Sequence, residues 1–195
     1  MTVLTATPDE AAVPDASAAS GTRASFEALY DEHVDRIYRS LRRFGVAESS
    51  LDDAVQEVFV TAYRRLDAFE GRSSLSTWLC GIALHVARSH RRHARRHPET
   101  PTEDPSVLDG PSEGSLERTI EDAEAVRILA GLLDELDDDK REAFVLSELE
   151  QLSAPEIAAS LGINVNTAYA RIRAARAAFE QAVSRHRARD RWRLG

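Results

Sequence analysis

Residues 153–176 read SAPEIAASLGINVNTAYARIRAAR, a short amphipathic segment, a glycine and then a longer segment rich in arginine. Ser153 and Glu156 have the spacing of a helix capping box, and the proline between them is tolerated in a first helical turn. Gly162 allows a sharp turn, and Asn164 is placed to cap the helix that follows. Apolar residues at helical spacing on both sides of the glycine would pack the two helices together. The pattern predicts a helix-turn-helix.

The first turns of the second predicted helix carry polar and cationic side chains suited to DNA. In helix-turn-helix proteins, residues at this position contact base edges in the major groove. An ordinary helical hairpin with a basic face is the alternative interpretation of the same pattern. The residues expected to face DNA are Asn164, Asn166, Thr167, Tyr169, Ala170, Arg171, Arg173 and Arg176.

A second informative segment lies nearer the N-terminus. Residues 51–66 read LDDAVQEVFVTAYRRL, with a wide apolar face at helical spacing. The helix is expected to start near Ser49 or Ser50, whose hydroxyls could cap it. Residues 69–83 read FEGRSSLSTWLCGIA, which predicts a polar loop and the start of a third helix. That helix is expected to end near Arg92, where it becomes basic.

Composition divides the 195 residues into five parts. Residues 1–24 have no hydrophobic period, and residues 97–117 hold four prolines and many acidic side chains, so neither can bury enough surface to order itself. Residues 25–96 and 118–186 have helical periodicity, and residues 187–195 form a basic tail. We therefore predict an all-α fold of two small helical domains joined by a flexible acidic linker.

The distribution of charge is more informative than its sum. The net charge of −8, taken alone, argues against nucleic acid as a partner. Residues 88–97, however, contain five arginines, three histidines and no acidic residue. Residues 99–139 have a net charge of −12, and residues 171–193 have one of +6. Two basic blocks thus flank an acidic middle, as in chains that bind a polyanion.

Several classes of protein are disfavoured by composition. The single cysteine, Cys80, excludes an internal disulfide framework and is expected to be a core residue in a reducing cytoplasm. His90, His93 and His97 have a tolerable metal-binding spacing, but no acidic residue joins them and the arginines repel a cation, so no metal or cofactor is expected. No apolar run approaches the roughly 20 residues of a membrane span, and no catalytic constellation is evident. We expect a cytoplasmic protein without membrane insertion or enzymatic activity.

Together, the two segments resemble bacterial RNA polymerase sigma factors. Residues 51–83 are similar to the second region of that family, and the helix-turn-helix is similar to its fourth region. The short acidic linker and the lack of a third domain are typical of the extracytoplasmic-function group. The resemblance covers roughly residues 26–184. It implies a chain that binds core RNA polymerase, reads the −35 promoter element as a duplex and melts the −10 element.

The resemblance also implies partners and roles for individual residues. Core polymerase would be contacted through its β′ clamp helices and β flap, the loop after residue 69 would capture a flipped −10 base, and an anti-sigma factor is expected. Asp52 and Asp53 equally fit simple helix-start electrostatics, and Trp78 fits burial in the core better than stacking on unpaired bases. The residues implied for polymerase binding are Asp52, Asp53, Gln56, Glu57 and Phe59. Those implied for −10 DNA are Glu70, Gly71, Arg72, Ser73, Ser74, Trp78, His85, Arg88, Arg91 and Arg92.

Two other function classes stay open. A stand-alone helix-turn-helix repressor or activator, dimeric on a symmetric operator, explains the second domain but leaves the first without a role. An enzyme or adaptor that uses the helices to hold a protein partner predicts indifference to DNA, whereas two arginine-rich blocks predict binding that falls steeply with salt. The promoter sequence is not fixed by the resemblance, because the chain departs from the usual family pattern at Cys80, Gly81, Leu84, His85, Ser89, Ala170 and Ala174.

Overall fold

The computed structural model describes the backbone of residues 16–97 and 116–193, with side chains described for residues 26–97, 123–189 and 191–192. Within these ranges the secondary structure is helical and contains no strand, so the prediction of an all-α fold is confirmed. Most of the predicted disordered N-terminal segment and nearly all of the predicted acidic linker lie outside the described residues. No helix in the described part of the chain is both long and apolar enough to cross a membrane.

Three α-helices form the N-terminal part of the fold. They are α1 (Ala16–Arg43), α2 (Leu51–Arg65) and α3 (Leu75–Arg96), and we refer to them as the N-terminal helices. Helices α2 and α3 pack against each other. Short 3₁₀ turns precede and follow α2. The large side chains buried in this part include Ile37, Leu41, Phe44, Leu51, Val58, Leu79 and Leu84.

The start of two helices differs from the sequence-based expectation. Helix α1 begins at Ala16, inside the segment predicted to be disordered, and residues 16–24 contain four alanines, the residue of highest helix propensity. Helix α2 is entered through the 3₁₀ turn Glu48–Ser50, and Ser50 makes no side-chain capping bond. Its ψ of 3° is far from the extended value of an N-cap residue, so the predicted cap by Ser50 is wrong.

Among the described residues, four further α-helices follow, which we call the C-terminal helices: α4 (Leu116–Asp134), α5 (Asp138–Phe144), α6 (Ala154–Leu161) and α7 (Val165–Arg193). A π-helical turn, Val145–Leu149, continues α5. Helix α7 packs against α4, α5 and α6, and the rings of Phe144 and Phe179 stack with centroids 4.1 Å apart. Because α7 is continuous to Arg193, residues 187–193 of the predicted basic tail form the last part of this helix.

The predicted helix-turn-helix is confirmed in its local bonds. The Ser153 amide donates to Glu156 Oε2 at 2.9 Å, closing the capping box of α6. Gly162 ends α6 in the left-handed conformation, with φ +68°. The Asn166 amide donates to Asn164 Oδ1 at 2.8 Å, so Asn164 caps α7 as expected. The side chains buried between α6, α7 and their neighbours include Ile157, Leu161, Ala168 and Ile172.

The N-terminal and C-terminal helices contact each other. The described residues from Val34 onward belong to one compact unit, within which α3 lies against α6. A β-carbon added to Gly81 of α3 would lie 3.9 Å from Ser160 Oγ of α6, an ordinary van der Waals distance. Sequence reasoning had no signal for this contact, since it treated the two parts as independent domains.

Candidate nucleic-acid interface

The outer face of α2 is acidic with an apolar centre. Asp52, Asp53, Gln56 and Glu57 are all exposed, as predicted for residues that face a partner. Their exposed neighbours on the helix surface are Val60 and Tyr63, 41% and 53% accessible, which sequence reasoning did not assign to this face. Both follow the acidic residues at helical spacing, and that periodicity could have identified them. We call Asp52, Asp53, Gln56, Glu57, Val60 and Tyr63 the α2 outer face.

Phe59 does not belong to the α2 outer face. Its side chain is only 3% exposed, and it is buried together with Val55, Val58 and Ala62. These four positions share the inward side of α2, because residues three and four apart stack on one face of a helix. The implied role of Phe59 in polymerase binding is therefore corrected to one in the hydrophobic core.

The loop before α3 is open at its tip and anchored at its end. Gly71 has φ +66°, and a β-carbon there would meet nothing within 4 Å, so its backbone is approachable from solvent. Glu70 and Arg72 are exposed and pair with each other at 2.5 Å. Ser74 Oγ accepts from the Thr77 amide at 3.0 Å and caps α3, which fixes the loop against the helix. Ser73 is partly exposed.

Trp78 is neither fully buried nor free on the surface. Its ring lies 5.2 Å from that of Phe69, with the two planes tilted by 45°. The side chain is partly exposed, at the junction of the loop and α3. The Trp78 ring therefore packs against Phe69 and keeps part of its surface exposed.

At the basic end of α3, some cationic side chains are exposed and others are paired with a carboxylate. His85 and Arg92 are exposed. Arg88 Nε and Nη2 donate to the two carboxylate oxygens of Glu142 at 3.0 and 2.6 Å, and this bond raises the pKa of Arg88. Arg91 is only 8% exposed and donates to the same Glu142 at 2.5 Å. As folded here, Arg91 is inaccessible to DNA, in contrast to the expectation.

The N-terminal face of α7 is open. Seven of its eight predicted DNA-facing residues are exposed, and Tyr169 is 54% accessible. Arg171 is half-buried and pairs with Asp139 at 3.1 Å, and Arg176 pairs with Glu148 at 2.8 Å. Exposed residues of this face are Asn164, Asn166, Thr167, Tyr169, Ala170, Arg173 and Arg176, and Val165, 38% exposed, joins them.

The histidines and the cysteine of α3 occupy unrelated positions. His90 Nε2 lies 3.1 Å from Glu57 Oε2, whereas the rings of His93 and His97 lie together with centroids 4.8 Å apart. The part of the chain that the structure describes contains no cluster of three side chains able to hold a metal ion. Cys80 is 1% exposed, and burial, followed by the nearby Glu150 carboxylate, raises its pKa to about 12.

Comparison with known proteins gives matches to both halves. Residues 29–97 match the family profile described as Sigma-70 region 2, and residues 127–179 match the one described as Sigma-70, region 4. The chain is 31% identical over 170 residues to the ECF RNA polymerase sigma-E factor of Escherichia coli K12, with 84% of this chain and 88% of that protein covered. It is 34% identical over 178 residues to the ECF RNA polymerase sigma factor SigC of Mycobacterium tuberculosis, covering 90% and 92%.

Two solved structures share the fold. The structure of CnrH in complex with the cytosolic domain of CnrY superposes with a TM-score of 0.61 at 30% identity, covering 87% of this chain and 94% of that chain. The sigma factor RpoE of Bartonella quintana, solved with the anti-sigma factor NepR, gives a TM-score of 0.63 at 23% identity, covering 82% and 97%. Each of the two matched segments carries one of the basic faces described above.

Proposed function

From the premise that the chain belongs to the extracytoplasmic-function group of the sigma-70 family, whose members direct transcription initiation, we propose how its surfaces divide that work. The α2 outer face binds core RNA polymerase, the loop before α3 and the basic end of α3 bind the −10 element, and α7 reads the −35 element. The observation that carries this proposal is the presence of one acidic face with an apolar centre on α2 and of two separate basic faces on α3 and α7. The polymerase performs the chemistry, and the chain supplies recognition in the cytoplasm, where polymerase acts.

The α2 outer face suits a basic protein surface with an apolar centre. Exposed Val60 and Tyr63 can be desolvated on binding, while Asp53 and Glu57 beside them can pair with arginines or lysines of the partner. The β′ clamp helices of polymerase are the partner that the family assigns to this region. The β flap is the corresponding partner for the C-terminal helices.

The −10 face suits an unpaired base and its flanking phosphates. The approachable backbone at Gly71 and the short side chains of Ser73 and Ser74 leave room for a flipped base. The Phe69–Trp78 pair offers a ring for stacking. Exposed His85 and Arg92 would contact phosphates, which position the strand without reading its sequence, and Arg88 and Arg91 would do so once they are released from Glu142.

The −35 face of α7 suits the major groove of duplex DNA. Asn166, Thr167 and Tyr169 can bond to base edges from the first turn, and Arg173 can bond to guanine or phosphate. An anti-sigma partner is also proposed. Its support is that CnrH, which shares 30% identity with this chain, was solved in complex with the cytosolic domain of CnrY.

The proposal is tested by mixing the purified chain with bacterial core RNA polymerase and following co-elution on a sizing column at moderate salt. We expect a one-to-one complex, which then yields run-off transcripts on genomic fragments. Replacing Asp52, Asp53 and Glu57 with Ala should abolish co-elution and spare binding to promoter duplex. The matched control replaces three exposed acidic residues of α1, Asp31, Glu32 and Asp35, with Ala and should still co-elute.

The converse variant separates the two faces. Replacing Arg171 and Arg173 with Ala should preserve co-elution and remove binding to the −35 duplex. A folded wild-type chain that fails to co-elute, yet binds duplex DNA tightly as a dimer, would overturn the proposal in favour of a stand-alone regulator.

A further inference from the structure

Two carboxylates, one in α5 and one directly after the π-helical turn, are buried against the N-terminal helices. Glu142 is 2% exposed and Glu150 is 5% exposed. Glu142 accepts from Arg88 and Arg91 of α3. Glu150 Oε1 accepts from the Ser40 hydroxyl at 2.7 Å, and its Oε2 accepts from Arg36 Nε at 3.0 Å, both on α1. Burial of a charge is costly unless the charge is paired, so the two sets of helices can pack here only while these pairs are made.

The carboxylates of α5 match a stripe of arginines on α3. Arg88, Arg91 and Arg95 are spaced three and four residues apart and therefore share one helix face. Both carboxylate oxygens of Glu142 accept hydrogen bonds from Arg88, and one of them also accepts from Arg91. Asp138, one turn earlier in α5, accepts from Arg95 at 2.6 Å. A carboxylate that accepts two parallel guanidinium bonds presents the same acceptor pattern as two oxygens of a phosphate.

No space for DNA separates the two sets of helices at this point. A β-carbon on Gly45, after α1, would collide with the guanidinium group of Arg141 in α5. Thr77 Oγ1 of α3 lies 3.5 Å from Glu156 Oε1 of α6. The contact is nonetheless imperfect, because Arg91 Nε is buried without a hydrogen-bond partner in the described part of the chain. Such an unsatisfied group disfavours the contact and eases its release.

Resting on the proposed role of α3 at the −10 element, we propose that α5 is an internal competitor of promoter DNA. Glu142 and Asp138 take the place of phosphates on Arg88, Arg91 and Arg95. The arrangement described here is then a closed state, in which the −10 face cannot bind DNA while the α7 face stays open. Binding at the −10 element requires the C-terminal helices to leave α3.

The first test measures the affinity of the full chain for a fluorescent single-stranded oligonucleotide of random sequence by anisotropy at low salt. We expect Glu142→Gln to bind at least about tenfold more tightly than wild type, since apparent affinity scales with the fraction of competent, open molecules. The gain should disappear when Arg88→Ala and Arg91→Ala are added. A Glu142→Gln chain that binds like wild type, or that keeps its gain without the arginines, would overturn the proposal.

Glu135→Gln is the matched control. It removes the same charge from the C-terminal helices and also releases two arginines, Arg185 and Arg189. Those arginines lie on α7 and not on α3, so we expect at most about a twofold change in affinity, as for exposed ion pairs. An equal gain in both variants would overturn the proposal, because it would reduce the effect to net charge.

A reversible cross-link gives an independent test that does not disturb Glu142. Gly81→Cys and Ser160→Cys, in a Cys80→Ser background, are close enough for a disulfide between α3 and α6. We expect the oxidised chain to give no run-off transcript with core polymerase on fragments that wild type transcribes, and the reduced chain to recover it. Full transcription by the oxidised chain would overturn the closed-state proposal alone. If wild type itself gave no transcript, the proposed function and this inference would fail together.

Discussion

One step along a helix separates a core residue from a surface residue in α2. Phe59 points inward with Val55 and Val58, while Val60 is 41% exposed. The apolar period of residues 51–66 already placed Phe59 on the inward face, and only the family resemblance assigned it to the polymerase. For Tyr63 the periodicity was misleading, because it placed the ring on the inward face, whereas the side chain is 53% exposed. At the scale of single residues, periodicity was the better guide for Phe59 and the weaker one for Tyr63.

The corrected role of Phe59 has a measurable consequence. Phe59→Ala should lower the free energy of unfolding by about 3–5 kcal/mol, because it removes a buried ring and leaves a cavity. Gln56→Ala, on the exposed side of the same helix, should change stability by less than about 0.5 kcal/mol and weaken polymerase binding instead. Urea denaturation measures the first effect and co-elution the second. If Phe59→Ala were as stable as wild type, the assignment of Phe59 to the hydrophobic core would be wrong.

Among the secondary-structure elements, the helix-turn-helix was predictable because all its determinants are local. The capping box at Ser153, the glycine turn at Gly162 and the cap at Asn164 each involve residues within four positions of one another. The π-helical turn Val145–Leu149 was not predictable, since its residues have no distinguishing pattern and the chain there reads as an ordinary helix. The start of α2 was predicted wrongly for a related reason. Serine is a residue type that often caps helices, but the backbone of Ser50 does not have the extended conformation of a cap.

The cap of α6 predicts a pH dependence of stability. The hydrogen bond from the Ser153 hydroxyl, and then that from its amide, lowers the pKa of Glu156 below its ordinary value of 4.5. Because the folded pKa is the lower one, the stabilisation is fully present above about pH 4.5 and is lost as the pH falls through the folded value. The difference in free energy of unfolding between wild type and Glu156→Gln should therefore shrink on acidification.

Chemical denaturation from pH 6 downward measures this difference. Ser153→Ala supplies the control background, since it removes the hydroxyl donor that lies 2.6 Å from Glu156 Oε2. In that background, the effect of Glu156→Gln should vary less with pH. An identical pH dependence in both backgrounds would show that the capping box is not the cause.

At the scale of the whole molecule, the contact between the N-terminal and C-terminal helices had no signature in the sequence. Glu142 and its partners Arg88 and Arg91 are more than 50 positions apart. In a sequence, a buried charged residue is indistinguishable from one on a solvated helix face, so Glu142 was not singled out. Family resemblance described what each half does, whereas the pairing of the halves depends on side chains of this particular chain.

Cys80 is a native reporter of that pairing. Burial first, and the Glu150 carboxylate second, raise its pKa to about 12, so little thiolate exists near pH 8 and alkylation by iodoacetamide should be slow. Glu150→Gln removes that negative charge and also the acceptor of Arg36 and Ser40. We expect it to accelerate alkylation by about tenfold or more, as both causes of the raised pKa weaken.

Mass spectrometry of the intact chain follows the alkylation directly. The control is Glu148→Gln, which lies in the π-helical turn two residues before Glu150 but pairs with Arg176 of α7. Its alkylation rate should equal that of wild type. Equal rates for Glu150→Gln and wild type would mean that Glu150 neither holds the helices together nor influences the thiol.

Because Glu142 is part of the same polypeptide as Arg88 and Arg91, it competes as a tethered ligand with an effective concentration on the order of millimolar. Chromosomal DNA binds such basic faces non-specifically with dissociation constants of roughly 10⁻⁴ to 10⁻⁶ M, so a tethered competitor removes much of that background. In the described part of the chain nothing covers the α2 outer face in the same way, since this face is exposed in the same state. Until it binds polymerase, the free chain would therefore keep its −10 face off the excess of chromosomal DNA, while the open α7 face still contacts duplex.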